Sequence, residues 1–389
     1  MAKKGSEMLE ILKGIELAAG NGKKKAKLTM WTEKEVGDIV SYGLPGIDAA
    51  SACGGHPKGK IIEIYGPESS GKSFAALKMI AAYQAAGMNA ALVDVEHSFW
   101  GPWAAQHGVD ISKLIYGQDF ISGEQAMKYA QLCCESKSFG LVVIDSIAAL
   151  MPQSEIDSDM DDKARVGSHA AMMSRCLKKL QDVASKTDTT ILCINQIRMK
   201  IGGYGNPEDT PGGKALKFYA AQRISLRRMG IEIGKVDGVN KPIGIRTKVK
   251  FEKNRIGQPF GEDEFVIFFV PGFNTPVVQL VNLAIRLKVV PPRKASDDDD
   301  DKKTYHWKVD GELEDTKCSS AADLAEWFEA NDSVIELLDL VVAKAAKANE
   351  SGKEVVVPDE VLAIRTAPPT VKSEGEVVED EDQQDEDKT

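Results

Sequence analysis

Long apolar runs are missing from this 389-residue chain. No stretch approaches the roughly 18 consecutive apolar residues that a membrane helix needs, so no membrane partner is expected. The opening segment, MAKKGSEMLEILKGIELAAG, scatters charges through its apolar part and does not read as a secretory signal. A cytoplasmic protein is the expectation. Cysteine is scarce. The six cysteines (Cys53, Cys133, Cys134, Cys176, Cys193, Cys318) fall in no C-x-x-C pattern. They read as reduced thiols and argue against a zinc site. Internal repeats are absent as well.

Charge of one sign is also lacking once its position is considered. The formal net charge is −10, but residues 373–389 hold nine acidic residues and one lysine, which leaves −2 on the other 372. Residues 1–30 carry seven lysines against three glutamates. A near-neutral body therefore has a basic head and an acidic tail, whose composition predicts disorder. Such tails usually solvate; this one could also compete with nucleic acid for a basic surface.

What is present is alternation. Apolar runs at 60–65 (KIIEIY), 90–96 (AALVDVE), 141–145 (LVVID) and 189–195 (TTILCIN) read as strands. Helical stretches at 72–86, 123–136 and 166–186 separate them. Near-continuous apolar strands alternating with helices predict an α/β fold, its mostly parallel sheet covered on both faces. After residue 222 strands follow one another (QRISLRR, TKVKFEKN, EFVIFFV) and should extend the sheet antiparallel. Residues 1–33 read as a helix at 6–19 and a lysine-rich linker, and 34–272 as the core. Residues 273–345 read as a small α+β domain with an acidic loop at 297–301, and 346–389 as the tail.

Two stretches carry chemistry. GPESSGKS comprises Gly66, Pro67, Glu68, Ser69, Ser70, Gly71, Lys72 and Ser73, and matches the phosphate-loop pattern G-x-x-x-x-G-K-[ST]. It follows a predicted strand and opens a predicted helix, the context in which backbone N–H groups and a helix N-terminus converge on phosphates. Lys72 would reach the β- and γ-phosphates of ATP, and the Ser73 hydroxyl would bind Mg²⁺. Three further strands end in Glu96, Asp145 and Gln196. In an open parallel sheet these ends face one crevice. Asp145 is positioned to order Mg²⁺, Glu96 to polarise the attacking water and Gln196 to sense the γ-phosphate. The second stretch, 195–214 (NQIRMKIGGYGNPEDTPGGK), is rich in glycine and proline, and a long loop of that kind inside a domain calls for a function.

IIEIYGPESSGKS, DVEHSF, VVIDSIAALMPQSEI, INQIRMKIG, GNPEDTPGGKALKFYA and KNRIGQPF together closely resemble the bacterial RecA recombinases, from about residue 41 to 272. That family comprises ATP-dependent DNA recombinases that form helical filaments on single-stranded DNA and exchange homologous strands. The resemblance implies a RecA-like P-loop ATPase core with an N-terminal oligomerisation helix. Glu96 matches the family's catalytic glutamate, Asp145 its magnesium-associated aspartate, and Gln196 the glutamine coupling γ-phosphate to DNA. Residues 197–213 match the second DNA loop, with Arg198, Met199, Lys200 and Ile201 toward DNA and Gly212 and Gly213 letting amides approach phosphates. Residues 157–167 match the first DNA loop, and Lys178 a DNA-facing arginine. Lys253 and Arg255 match two lysines reaching ATP across the subunit interface, and Phe218 an interface relay. Arg228, Lys248 and Lys250 lie near the family's second, duplex-receiving DNA site; a charged strand face is the alternative. Homologous duplex, single-strand-binding and loading proteins, and a repressor of the LexA type are the further partners implied.

The sequence departs from the family in SFWGPW, residues 98–103. Trp103 stands at the position of an adenine-stacking tyrosine. Trp100 and Gly101 replace an aspartate–proline pair, so nucleotide selectivity is open. The first DNA loop is one residue longer and carries Asp157, Asp159, Asp161 and Asp162, and Ala171 replaces a DNA-facing arginine. Three rival readings remain at this point: a ring helicase, a nucleotide-gated DNA scaffold with little turnover, and a small-molecule kinase.

Overall fold

The computed structural model describes residues 39–158, 167–199, 208–236, 239–269 and 276–286, with shorter pieces between 289 and 341. The helix expected at 6–19, the acidic loop at 297–301, most of the first DNA loop, Lys200, Ile201 and the tail lie outside the described residues. The described residues fall into two compact units. The larger ends at Phe269, apart from a hairpin tip at 233–242 that groups with the smaller.

In the larger unit, β1 (Ile39–Val40), α1 (Pro45–Ala50) and β2 (His56–Pro57) precede the sheet. There follow β3 (Ile61–Gly66), α2 (Lys72–Ala85), β4 (Asn89–Asp94), α3 (Gly101–Gln106), β5 (Leu114–Gly117), α4 (Gly123–Glu135), β6 (Phe139–Asp145) and α5 (Gln153–Ile156). Then come α6 (Ser168–Thr187), β7 (Thr190–Gln196), β8 (Arg198–Met199), β9 (Glu208–Asp209), α7 (Lys214–Tyr219), β10 (Gln222–Val236), β11 (Val239–Asn254) and β12 (Glu262–Phe268). The eight-stranded sheet has the order β12-β11-β10-β3-β7-β6-β4-β5. From β10 to β5 the neighbours run parallel, and β11 with β12 is antiparallel.

The parallel reading holds, with two corrections. β10, expected to begin the antiparallel extension, instead pairs parallel with β3, Arg223 opposite Glu63. The short helix α7 is the reason: it carries the chain back over the sheet between β7 and β10, and such a crossover returns a strand in the same direction. The antiparallel part starts only at β11. The second correction is β5, which at four residues left too little apolar pattern to read.

Alternation along each strand feeds two separate cores. Ile62, Ile64, Leu92, Val143 and Leu192 pack on one face with Phe74, Met79, Ile80 and Tyr83 of α2. Ile61, Val93, Val142, Ile144 and Ile191 pack on the other with Met127 and Ala130 of α4 and Met172, Met173 and Leu177 of α6. α4 begins at a side-chain cap, where Ser122 accepts from the Gln125 N–H at 3.3 Å.

The smaller unit contains α8 (Pro276–Arg286), the antiparallel pair β13 (Tyr305–Val309) and β14 (Glu312–Thr316), and α9 (Ala321–Ala330). Leu280, Val281, Ala284, Leu324 and Phe328 are buried in it. Among the described residues no helix is long and apolar enough to cross a membrane.

Candidate functional site

The carboxyl ends of β3, β4, β6 and β7 build the crevice. After β3 the phosphate loop turns through left-handed backbone at Ser69 and Gly71, with φ of 56° and 88°, into the N-terminus of α2. Gly66 must be glycine for a steric reason, since a Cβ there would lie 2.2 Å from the Leu226 carbonyl oxygen. Ser70 is buried, and its hydroxyl donates to the Pro67 carbonyl at 2.8 Å. The Lys72 ammonium donates to the same oxygen at 2.7 Å. Burial lowers the Lys72 pKa, while Asp145, Glu96 and Glu68 oppose that shift.

Asp145 closes β6 and is buried; its Oδ2 accepts from the Ser73 hydroxyl at 2.9 Å. Burial raises its carboxyl to about 6, with Glu96 and Asp94 adding to the rise and Ser73 and Lys72 opposing it. Two hard oxygen donors, a hydroxyl and a carboxylate, so adjoin at the mouth of the phosphate loop, the donor set that Mg²⁺ takes.

Glu96 is exposed and lies two residues beyond the end of β4 rather than on it, a correction to the expected strand end. A buried aspartate places it there. Asp94 accepts from the backbone N–H groups of Glu96 (3.2 Å), Ser98 (3.3 Å) and Phe99 (3.0 Å) and from the Tyr116 hydroxyl (3.0 Å). Glu96 Oε1 in turn accepts from the Gln196 amide at 2.8 Å and from the Ser146 hydroxyl. The two expected polar ends, Glu96 and Gln196, thus touch. Asp94 and Ser146 were missed by sequence reasoning, although an aspartate ending an apolar strand two residues before Glu96 was a signal within DVEHSF.

The stretch after Gln196 is less irregular than expected. β8 and β9 form a two-residue antiparallel ladder, Arg198 opposite Asp209 and Met199 opposite Glu208. Lys217 pairs with Asp209, and Arg227 with Glu208. Arg198 and Met199 are exposed at the outgoing foot. At the returning foot Gly212 and Gly213 have φ of 91° and 68°, and a Cβ on Gly213 would meet that of Ala170 at 2.9 Å. The described role of Gly213 is a close turn into α7 against α6.

The remaining expected residues lie apart. The Lys253 ammonium donates to the carbonyls of Lys217 (2.7 Å) and Phe218 (3.0 Å) at the end of α7. The Arg255 guanidinium lies 5.7 Å from the Phe218 ring centroid. Phe218 is 66% exposed, so Lys253, Arg255 and Phe218 form one surface cluster. Burial, then Arg255 and Arg223, lower the Lys253 ammonium to about 8. Lys178 and Arg228 are exposed. Lys248 pairs with Glu262 at 2.6 Å and Lys250 with Glu252 at 3.0 Å, the charged strand face of the alternative reading. Trp100 is 69% exposed. Trp103 is half-buried, edge-on to His107 with ring centroids 4.1 Å apart.

The sequence matches the family described as RecA N-terminal domain over residues 7–274. The chain belongs to the RecA family. Protein RecA of Campylobacter hominis is 46% identical over 290 residues, which cover 73% of this chain and 80% of that one. Protein RecA of Helicobacter hepaticus is 39% identical over 337 residues, 84% of this chain and 94% of that one. A solved RadB recombinase superposes on 60% of this chain and 97% of its own with a TM-score of 0.45 at 22% identity. As a RecA-family protein, the chain is an ATP-dependent DNA recombinase and an ATPase. It binds nucleotide and DNA and assembles into filaments. The helicase and kinase readings fall with this membership.

Proposed function

We propose that this recombinase hydrolyses ATP in the crevice at Glu96 and couples hydrolysis to single-stranded DNA through Gln196. The observation that carries the reading is the 2.8 Å contact between the Gln196 amide and the Glu96 carboxylate. Gln196 is also two residues from the DNA-loop foot at Arg198. One side chain therefore bridges the group that polarises water and the loop assigned to DNA. With Gln196 on its carboxylate, Glu96 is held; drawing Gln196 toward a γ-phosphate frees that oxygen to accept a proton from water.

The phosphate-loop residues Gly66 to Ser73 bind the triphosphate, with Lys72 on the β- and γ-oxygens. Ser73 and Asp145 would hold Mg²⁺, which when bound neutralises charge on those oxygens. Trp103 stacks on the base, and the exposed indole of Trp100 offers no carboxylate to an amino group, so base selectivity is relaxed. Lys253 and Arg255 complete the site from the neighbouring subunit of the filament. ATP then acts across an interface, and Phe218 carries its state between neighbours.

Arg198, Met199, Lys200, Ile201, Gly212 and Gly213 form the primary DNA surface, cations on phosphates and apolar side chains between bases. Lys178 extends it, while Arg228 belongs with Lys248 and Lys250 to the second, duplex-receiving surface. Lys248 and Lys250 receive duplex only by exchanging Glu262 and Glu252 for phosphate. The protein works in the cytoplasm or nucleoid of a bacterium, its own or an infected host, with single-strand-binding and loading proteins and a repressor of the LexA type as partners.

Steady-state ATP hydrolysis with and without single-stranded DNA tests the reading, wild type beside Glu96→Gln. Strong stimulation of the wild type, with slow turnover and persistent filaments for Glu96→Gln, is expected. Turnover indifferent to DNA would leave the scaffold reading in its place.

A further inference from the structure

A buried charge lies inside the sheet where neither phosphate nor DNA reaches it. Glu63 sits mid-strand in β3 with no exposure. A carboxylate there is costly unless paired and hydrogen-bonded. Arg223, its register partner on β10, pairs with Oε2, and the Arg223 guanidinium lies 4.7 Å from the centroid of the Tyr65 ring. The other oxygen, Oε1, accepts from the Asn195 side-chain amide at 3.0 Å.

Asn195 is fully buried and immediately precedes Gln196. Its amide makes three bonds in three directions. Nδ2 donates to Glu63 and also to the Pro211 carbonyl at 3.1 Å, and Oδ1 accepts from the Gln196 backbone N–H at 3.0 Å. Residue 196 immediately precedes the stretch 197–213 assigned to DNA and residue 211 lies at its returning foot, so one side chain joins both. The carboxylate of Glu63 can only accept, which fixes the amide's orientation: Nδ2 must face Glu63, and Oδ1 is left for Gln196. The Pro211 carbonyl, which can only accept, and the Gln196 N–H, which can only donate, call for the same orientation.

We infer that Asn195, anchored by Glu63, is a positioning residue that links displacement of the returning foot at Pro211 to Gln196. When DNA moves the returning foot of the loop, the Pro211 carbonyl and the Gln196 N–H move through one amide, and the Gln196 side chain shifts against Glu96. This deepens the coupling reading proposed above and rests on it. Neither residue touches substrate, so the effect belongs in the response to DNA rather than in nucleotide binding.

The variant Asn195→Asp tests this, since it keeps shape but has at most one donor, an O–H when its carboxyl is protonated beside Glu63, and so cannot bond Glu63 and Pro211 together. Gln196→Ala runs beside it; thermal unfolding reports that each variant is folded, and affinity for a fluorescent non-hydrolysable ATP analogue is measured for Asn195→Asp. The readout is the ratio of ATP turnover with saturating single-stranded DNA to turnover without it. A loss of folded fraction lowers both terms together and leaves this ratio unmoved. Asn195→Asp is expected to cut the ratio roughly tenfold, as misplacement of a catalytic partner does, with analogue affinity kept. An unchanged ratio for Asn195→Asp, while Gln196→Ala abolishes stimulation, overturns this inference alone. A full ratio in both variants overturns the coupling reading and the inference with it. Loss of analogue binding by Asn195→Asp also counts against it, because the residue would then be supporting the fold.

Discussion

The phosphate corner and the β8–β9 ladder after Gln196 are built in opposite ways. At the phosphate corner a buried group braces each exposed one: Asp145 holds the Ser73 hydroxyl, Ser70 bonds the Pro67 carbonyl, and Asp94 lies under the turn that carries Glu96. The stretch after Gln196 is held by a two-residue ladder and the Lys217–Asp209 and Arg227–Glu208 pairs at a partly exposed surface. Partly exposed ion pairs contribute little to stability. The corner is therefore set before ligand arrives, as electrostatic stabilisation of charge transfer requires. The ladder is cheap to rearrange, as the coupling to DNA proposed above requires. Between them stands Asn195, buried like the corner and bonded like a loop foot.

Disturbing the corner should have the largest effect. Asp94→Ala removes one acceptor from three backbone N–H groups and the Tyr116 hydroxyl. Turnover should fall on the order of 100-fold because Glu96 loses its position. Stability should fall by about 1–3 kcal/mol from the orphaned donors. Hydrolysis assays and thermal unfolding of the same preparation check both, and a drop in stability alone would remove Asp94 from the site.

The Lys253 cluster gives a smaller effect, read through pH. Burial and two nearby arginines hold its ammonium at about 8, below the ordinary 10.5. The folded chain therefore binds fewer protons than the unfolded chain between those values, and this group's contribution to stability rises with pH across that window. Its positive charge is lost over the same range. ATP-driven filament assembly from free subunits should slow several-fold as pH rises through about 8, without unfolding. Lys253→Arg should move that limb to higher pH, since a guanidinium stays charged. An alkaline limb identical in the two proteins would separate Lys253 from the phosphate.

The smallest effect concerns the tail. Removing residues 373–389 takes away a net charge of −8. Duplex affinity should rise modestly at low salt and converge with the full chain at high salt. The same difference at every salt concentration would deny an electrostatic tail.

Much of the corner was legible in the sequence because its motifs are local. GPESSGKS carries its own turn and helix start, and Asp145 and Gln196 end apolar strands. What stayed hidden was polar and interior. Glu63 and Asn195 sit within KIIEIY and TTILCIN, where one polar letter in an apolar run says nothing about its partner. Their meaning depends on β10 lying parallel to β3, with Arg223 opposite Glu63. That pairing depends in turn on a six-residue helix within a glycine-rich stretch. The Lys253–Phe218 contact likewise joins residues 35 apart that no periodicity connects.

The central claim is that nucleotide and DNA act on one element, and reciprocity tests it most directly. Coupling between two ligands must appear in the binding of each. Single-stranded DNA affinity would be measured with and without a non-hydrolysable ATP analogue, for the wild type and for Gln196→Ala. The account predicts that the analogue tightens DNA binding by the wild type and leaves Gln196→Ala close to its nucleotide-free affinity. Equal tightening in both proteins would contradict it.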